Sequence, residues 1–203
     1  MAQEEIILAS GSPRRRELLD AMGIRFEVVT ADVAEHDAES APHLAPIELA
    51  CENARQKAEA VARLKPARWV LGADTVVALD QAIFGKPDSI GQAHDFLRAL
   101  SGKTHEVITG CALAWLSIPT GPMVTSGGEI EIFHATTRVT FRPLTDEIIA
   151  RYLAAVNVLD KAGAYALQEH GDWIIDRVEG SRNNVIGLPT ESLERVFRRR
   201  GLL

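Results

Sequence analysis

The chain has 203 residues, of which 46% are hydrophobic and 25% charged, and its formal net charge at pH 7 is −6. This size and composition are ordinary for a globular protein and allow one large domain or two small lobes. The negative net charge argues against a surface that coats nucleic acid, because nonspecific binding to a phosphodiester backbone needs a basic surface. Any phosphate site must therefore be a local basic pocket.

Cysteine usage and the N-terminal segment indicate where the protein resides. Cys51 and Cys111 stand far apart without a Cys-x-x-Cys pairing, which is typical of reduced packing residues. Residues 1–5 are acidic where a signal peptide would be basic, and no apolar run is long enough to cross a bilayer. The sequence therefore predicts a cytoplasmic protein with no membrane partner.

Strands and helices alternate at the start of the chain. Hydrophobic periodicity predicts a strand over residues 6–9, a helix over 13–22, a strand over 26–30 and, after a polar stretch, a helix over 46–64. A short buried strand over residues 69–71 and an extended segment over 75–79 follow. We expect a break between these two segments.

Longer β-strands dominate the second part. After a turn at residues 85–87, the pattern predicts a helix over 89–100 and a hairpin of strands 106–116 and 129–141, joined by a turn over 119–128. A helix over 146–155, a strand over 173–178 and a helix over 190–199 complete the prediction. The expected architecture is α/β, a mixed sheet in a single domain over residues 1–203, folded as two lobes around a cleft.

The segment Ser10-Gly11-Ser12-Pro13-Arg14-Arg15-Arg16 links the first strand to the first helix. Ser12 suits the N-cap position and Pro13 the first helical position. The start of this helix then presents free backbone N–H groups, serine hydroxyls and arginine side chains at one point. Such a site suits a polyanion such as a triphosphate. The alternative is a helix start that binds nothing.

Gly72-Ala73-Asp74-Thr75 follows an apolar strand, so we expect Asp74 to emerge at a strand end. Gly72 would let a ligand or another backbone approach closely. A carboxylate there suits a divalent metal or a proton acceptor for water that attacks phosphorus. The alternative is an aspartate that caps a turn.

Three further polar features were considered as possible functional sites. Lys86 lies on a stiff turn that suits a phosphate contact, although solvated turn lysines are common. Ser101-Gly102-Lys103-Thr104 is not a P-loop, because Leu97 stands where its first glycine must be and the tetrad ends a helix. The six histidines show no zinc spacing, and no Ser-His-Asp order is compelling.

A charged pair, Asp160-Lys161, precedes the small residues 162–164, a combination suited to close backbone approach. Downstream, the amide of Gln168 is able to donate and accept hydrogen bonds, as reading a base edge requires. Gln168 could equally be an exposed surface residue. We include Lys161 and Gln168, with Ser12, among the candidate substrate-binding residues.

The motifs on which a family resemblance rests span nearly the whole chain. They are Ala9-Ser10-Gly11-Ser12-Pro13-Arg14-Arg15, Lys57-Ala58, Leu71-Gly72-Ala73-Asp74-Thr75-Val76-Val77, Gly85-Lys86-Pro87, Leu100-Ser101-Gly102-Lys103-Thr104-His105-Glu106-Val107, Asp160-Lys161-Ala162-Gly163-Ala164-Tyr165 and Gly187-Leu188-Pro189. In this order they resemble the Maf family of nucleoside triphosphate pyrophosphatases. Together they are far more specific than any one of them.

The resemblance implies a fold like that of the inosine triphosphate pyrophosphatases, often as a homodimer. It implies hydrolysis between the α- and β-phosphates with Mg²⁺ or Mn²⁺, giving a nucleoside monophosphate and pyrophosphate. By position, Asp74 resembles the proton acceptor and a metal ligand, and Glu35 an acidic metal-site residue. The positions that resemble the phosphate-binding groups are Ser10, Arg14, Arg15, Lys57 and Lys86.

Three positions bear on the substrate. Arg14, Thr75 and Gln168 are similar to the branch of the family that acts on dTTP and UTP, whereas the 7-methyl-GTP branch tends to have Tyr, Gln and Glu there. A neutral amide suits O4 and N3–H of uracil or thymine, and a carboxylate suits the cationic methylated guanine. The alternatives are 7-methyl-GTP as substrate, or a nucleotide-binding regulator of septum formation without turnover.

Overall fold

The computed structural model describes residues 5–117 and 127–203. The turn expected over residues 119–128 lies, up to residue 126, outside that part of the chain. The described elements are β1 (Ile6–Leu8), α1 (Pro13–Ala21), β2 (Phe26–Val28), α2 (Pro46–Leu64), β3 (Trp69–Leu79), β4 (Ala82–Phe84), α3 (Ile90–Leu100), β5 (Thr104–Leu116), β6 (Gly128–Phe141), α4 (Asp146–Ala155), a 3₁₀ turn (Ala162–Ala164), α5 (Gly171–Ile174), β7 (Ile175–Glu179), α6 (Arg182–Ile186) and α7 (Thr190–Arg200).

A seven-stranded mixed sheet organises these elements. Its order is β2-β1-β3-β5-β6-β7, and β4 pairs with β3 outside this path. β1 lies parallel to β2 and β3, whereas β3, β5, β6 and β7 pair antiparallel in succession. The expected α/β class with a long mixed sheet flanked by helices is confirmed.

The break predicted inside β3 is wrong. β3 is one continuous strand that pairs with β5 from Trp69 to Ala78, so Asp74 lies mid-strand, opposite Gly110. On the other edge of β3, β1 pairs only as far as Leu71, and β4 begins pairing at Val77. Among the described strands none covers that edge between these points, so the gap in pairing, not a strand end, gives access to the centre of β3.

Two polar side chains of β3 point to opposite faces of the sheet because side chains alternate along a strand. The face that carries Asp74 packs against α2. The opposite face carries Thr75, which lies between an apolar cluster that includes Ala73 and one that includes Val77. Thr75 therefore lies on this face between two apolar clusters.

Helix α2 lies unusually close to the centre of the sheet. A Cβ atom on Gly72 would lie 2.2 Å from the carbonyl oxygen of Ala54, and one on Gly110 would lie 2.4 Å from the carbonyl carbon of Ala50. The facing side of the helix is built of alanines that are fully buried, including Ala58. The close backbone approach predicted for Gly72 is therefore observed, and the partner is helix α2.

The remaining differences concern short elements. The strand expected over residues 173–178 starts at Ile175, because residues 171–174 form the short helix α5. β4, the 3₁₀ turn and α6 were not expected, since none is long enough to show a period. In the described part of the chain, every helix is too short or too polar to cross a membrane.

Candidate active site

A cavity of about 400 Å³ opens at the gap between β1 and β4. It collects polar groups from α1, α2, β3 and the loops after β1, β2, β4 and α4. The predicted site residues that line it are Ser10, Ser12, Arg14, Arg15, Glu35, Lys57, Asp74, Thr75, Lys86, Lys161 and Gln168. The predicted residues therefore share one pocket.

The N-terminus of α1 forms one wall of this pocket. Pro13 takes the first helical position and Ser12 the N-cap position, as expected, but the Ser12 hydroxyl makes no capping hydrogen bond. The Ser12 amide instead donates to the hydroxyl oxygen of Ser10, at 3.3 Å. The Ser12 side chain is thus not engaged in capping the helix that it precedes.

Arg15 is held on the Thr75 face of the sheet. Its Nε donates to the Gly187 carbonyl at 2.9 Å, and its two terminal nitrogens donate to the hydroxyl oxygens of Ser10 at 2.9 Å and Thr75 at 3.2 Å. Burial lowers the pKa of the Arg15 guanidinium, an effect that the charge of Asp74 opposes. A guanidinium has five N–H donors, so this arrangement leaves two for an anionic ligand.

A second polar layer supports the Thr75 hydroxyl. Thr75 Oγ1 lies 3.0 Å from Thr109 Oγ1 of β5, and the Thr109 hydroxyl donates to the Asn184 carbonyl at 3.1 Å. Thr109 and Asn184 are fully buried. These two supporting residues were not predicted, although they lie beside the motifs that end at Val107 and begin at Gly187, because their local sequence does not show that they are buried.

On the opposite face of β3, Lys57 bridges two carboxylates. Its Nζ lies 2.7 Å from Asp74 Oδ1 and 2.9 Å from Glu35 Oε2. Partial burial alone would raise the pKa of Glu35, but the ion pair and hydrogen bond with Lys57 outweigh it, so that this pKa is lowered. Both carboxylates therefore meet beside one cation at the pocket wall.

This carboxylate pair suits a magnesium-type ion. Mg²⁺ is commonly held by one or two carboxylates together with substrate phosphates rather than by a full protein cage. Among the described residues there is no group of three or more His, Cys, Asp or Glu that could hold a metal. Glu35 and Asp74 would thus supply the protein ligands, and the phosphates the rest.

The other side of the pocket carries a chain of ion pairs. Arg14 Nη1 lies 3.1 Å from Asp160 Oδ2, and Lys161 Nζ lies 2.9 Å from Asp160 Oδ1 and 3.2 Å from Glu169 Oε1. The Lys161 ammonium also donates to the Asn157 carbonyl, so three protein acceptors surround it. Its part in substrate binding stays a prediction.

Two predicted ligand-binding residues are exposed at the pocket rim. Lys86 follows β4, and Gln168 follows the wall residues Ala166 and Leu167. Exposure is compatible with contacts that form only when a ligand enters.

Sequence comparison assigns the chain to a family. The family described as Maf-like protein matches residues 5–200. The chain belongs to the Maf family. The resemblance drawn from the motifs is thereby confirmed.

Several curated proteins and a solved structure are similar to this Maf chain. The dTTP/UTP pyrophosphatase of Akkermansia muciniphila is 45% identical over 93% of this chain and 92% of its own length. That of Myxococcus xanthus is 43% identical over 98% and 94%. A nucleoside-triphosphatase / dITP/XTP pyrophosphatase structure from Mycobacterium abscessus is 17% identical, covers 68% of this chain and 74% of its own, and has a TM-score of 0.42. The fold assignment rests on the observed sheet and not on that alignment.

Proposed function

We propose that this Maf protein is a nucleoside triphosphate pyrophosphatase that hydrolyses dTTP and UTP between the α- and β-phosphates. The observation that carries the proposal is that the Ser10–Arg15 segment and Asp74 line the same cavity. Relatives more than 40% identical over nearly their whole length are named dTTP/UTP pyrophosphatases. The products would be the nucleoside monophosphate and pyrophosphate, as expected of an enzyme that cleans the nucleotide pool.

Phosphate binding follows from the cations of the pocket. A triphosphate resists hydrolysis mainly because its negative oxygens repel an incoming hydroxide, and fixed positive charge removes that barrier. Lys57 and Arg15 lie at the pocket wall, and Lys86 lies at its rim. Ser10, Ser12 and the first N–H groups of α1 add hydrogen-bond donors beside them.

Asp74 is the proposed proton acceptor. Its carboxylate is nearly buried and anchored at one oxygen by Lys57, so its direction in the pocket is fixed. We infer that it orients and deprotonates the water that attacks phosphorus. A divalent ion, Mg²⁺ or Mn²⁺, held by Glu35 and Asp74 would neutralise phosphate charge when bound.

Base selection is assigned to Arg14, Thr75 and Gln168. The Gln168 amide lies at the rim, where it is free to meet O4 and N3–H of a pyrimidine. Thr75 and Arg14 are tied to Arg15 and Asp160, respectively, so they shape the pocket through fixed partners. The rival substrate, 7-methyl-GTP, would require a carboxylate where Gln168 stands.

The same proposal includes the cellular setting. We infer a cytoplasmic homodimer that binds no nucleic acid and no membrane. The unpaired cysteines agree with a reducing compartment. The net charge of −6 agrees with the absence of nucleic-acid binding.

A direct test is to incubate the purified protein with Mg²⁺ and, in turn, dTTP, UTP, CTP, dATP, 7-methyl-GTP and modified pyrimidine triphosphates, and to measure pyrophosphate and monophosphate. The proposal predicts stoichiometric release of both products, with kcat/KM highest for dTTP or UTP. Binding of dTTP without any pyrophosphate would instead support a regulatory protein, and faster turnover of 7-methyl-GTP would support the rival branch.

A further inference from the structure

Asn53 lies under the pocket and touches both sides of the carboxylate pair. It belongs to α2, one turn before Lys57, and only 2% of its surface is exposed. Its Nδ2 lies 3.2 Å from Asp74 Oδ2, while Lys57 lies 2.7 Å from Asp74 Oδ1. Successive turns of one helix therefore hold the two oxygens of this carboxylate.

The same amide also fixes the loop that carries Glu35. Asn53 Oδ1 accepts a hydrogen bond from the His36 amide at 2.8 Å, and Nδ2 donates to the His36 carbonyl at 2.9 Å. Both backbone groups of the residue that follows Glu35 are thus bound to one side chain. The two N–H donors of Asn53 are fully used, one by the Glu35 loop and one by Asp74.

This geometry needs an asparagine. Only an amide offers one acceptor and two donors at the end of so short a side chain. An aspartate has the same shape but no N–H for Asp74 or for the His36 carbonyl.

We propose that Asn53 is a positioning residue of the active site, which sets the separation and orientation of Glu35 and Asp74 for the metal-bound triphosphate. The inference rests on the proposed pyrophosphatase function. Asn53 itself does not line the cavity, in contrast to Lys57, so its effect passes through the two carboxylates. Loss of such outer contacts typically reduces activity 10- to 100-fold.

The experiment compares Asn53→Ser and Asn53→Asp with a matched control, Ser101→Ala. The Ser101 hydroxyl binds the amide and the carbonyl of Leu144, at 2.7 and 3.4 Å, and Ser101 does not line the cavity. Asn53→Ser and Ser101→Ala therefore each lose a side-chain clamp on one backbone unit, whereas Asn53→Asp keeps the acceptor for the His36 amide and loses the N–H donors to Asp74 and the His36 carbonyl. Thermal unfolding and circular dichroism first identify which variants are folded. If one Asn53 variant does not fold, the other is used for the kinetic test.

The proposal predicts a fall in kcat for dTTP of about tenfold or more in each folded Asn53 variant, with less than about threefold change in KM. In Asn53→Ser, which removes the acceptor for the His36 amide, hydrogen exchange at that amide should also become faster, even without nucleotide. The control should keep the wild-type kcat and the wild-type exchange rate at His36.

Two outcomes would overturn the positioning role. One is a folded Asn53 variant that keeps the wild-type kcat; the other is unchanged exchange at the His36 amide in folded Asn53→Ser. Failure of the proposed function is recognised separately, because wild-type protein would then release no pyrophosphate from any triphosphate.

Discussion

Lys57 determines the charge balance of the site at the scale of single residues. It lies within 3 Å of both Glu35 and Asp74, so two negative charges converge beside one positive charge. In the proposed function, a triphosphate and its divalent ion would offer the ammonium new partners, and Glu35 and Asp74 would then be available to hold the ion.

Gln168→Glu tests base selection. The substituted carboxylate has no N–H to donate to O4 of a pyrimidine, so we expect kcat/KM for dTTP to fall about 10- to 100-fold. The kcat/KM for 7-methyl-GTP should rise relative to that for dTTP. Steady-state kinetics on both substrates measure this, with Glu169→Gln as a neighbouring charge control. An unchanged ratio of the two kcat/KM values would remove Gln168 from base recognition.

His105 gives the protein a specific sensitivity to acid. It is buried, its Nε2 lies 2.8 Å from the Tyr165 hydroxyl, and its Nδ1 has no hydrogen-bond partner within residues 5–117 and 127–203. Burial lowers the pKa of His105 from 6.5 to about 4. Between these pH values the unfolded chain binds a proton that the folded chain does not, so the free energy of unfolding falls as the pH falls, by up to about 3 kcal/mol.

Denaturant titrations from pH 7 to 4 measure this dependence. His105→Gln removes the titrating group, and its unfolding free energy should decline less steeply over that interval than that of the wild type. The exposed His134→Gln should leave the slope unchanged. Equal slopes in His105→Gln and wild type would show that other groups cause the acid sensitivity.

Local chemistry in the sequence pointed to part of the pocket lining, whereas Glu35 and Lys57 were named only through the family resemblance. Ser10, Arg15 and Asp74 were recognisable because small or polar residues interrupt apolar segments. The partners behind them were not, since a buried asparagine in a helix such as Asn53 has no unusual sequence environment. Its spacing of four residues before Lys57 is the one signal that could have found it, because such residues share a helix face.

At the scale of elements, the close contact of α2 with β3 and β5 brings Lys57 and Asn53 to the sheet. Gly72→Ala tests this contact. The added methyl would lie 2.2 Å from the Ala54 carbonyl oxygen, so either the helix or the strand must shift. We expect a loss of about 3 kcal/mol in unfolding free energy and, in any protein that still folds, reduced turnover.

Gly91→Ala is the matched control, because its methyl would meet only Ser89 Oγ, at 3.8 Å, in an exposed helix. Urea unfolding should show no loss of stability there, or a small gain. Wild-type stability of Gly72→Ala would mean that the helix is not held against the sheet as closely as described.

Elements with a clear period were predicted within a few residues of their observed bounds, as for α2 and α4. The break that was wrongly predicted inside β3 had a local cause. A glycine and an aspartate in an apolar run indicate a strand end, but in β3 the glycine admits a helix and the aspartate faces it. Only tertiary packing distinguishes the two, and a single sequence does not contain it.

At the scale of the whole molecule, a negatively charged chain carries a local cluster of cations at a gap in the sheet. We propose that Arg15 and Asp74 act on one triphosphate. The two groups lie on opposite faces of β3, yet both line the same cavity because the strand edge between β1 and β4 is open. A nucleotide at that edge would be reached from both faces.

Asp74→Asn tests this claim most directly. The variant keeps the shape of the side chain but removes the proton acceptor and one metal ligand. The measurements are pyrophosphate release from dTTP and the Kd of a dTTP analogue with a non-hydrolysable α,β-bridge. We predict a loss of kcat of about 100-fold or more, with analogue binding still measurable; turnover at the wild-type rate would contradict the account.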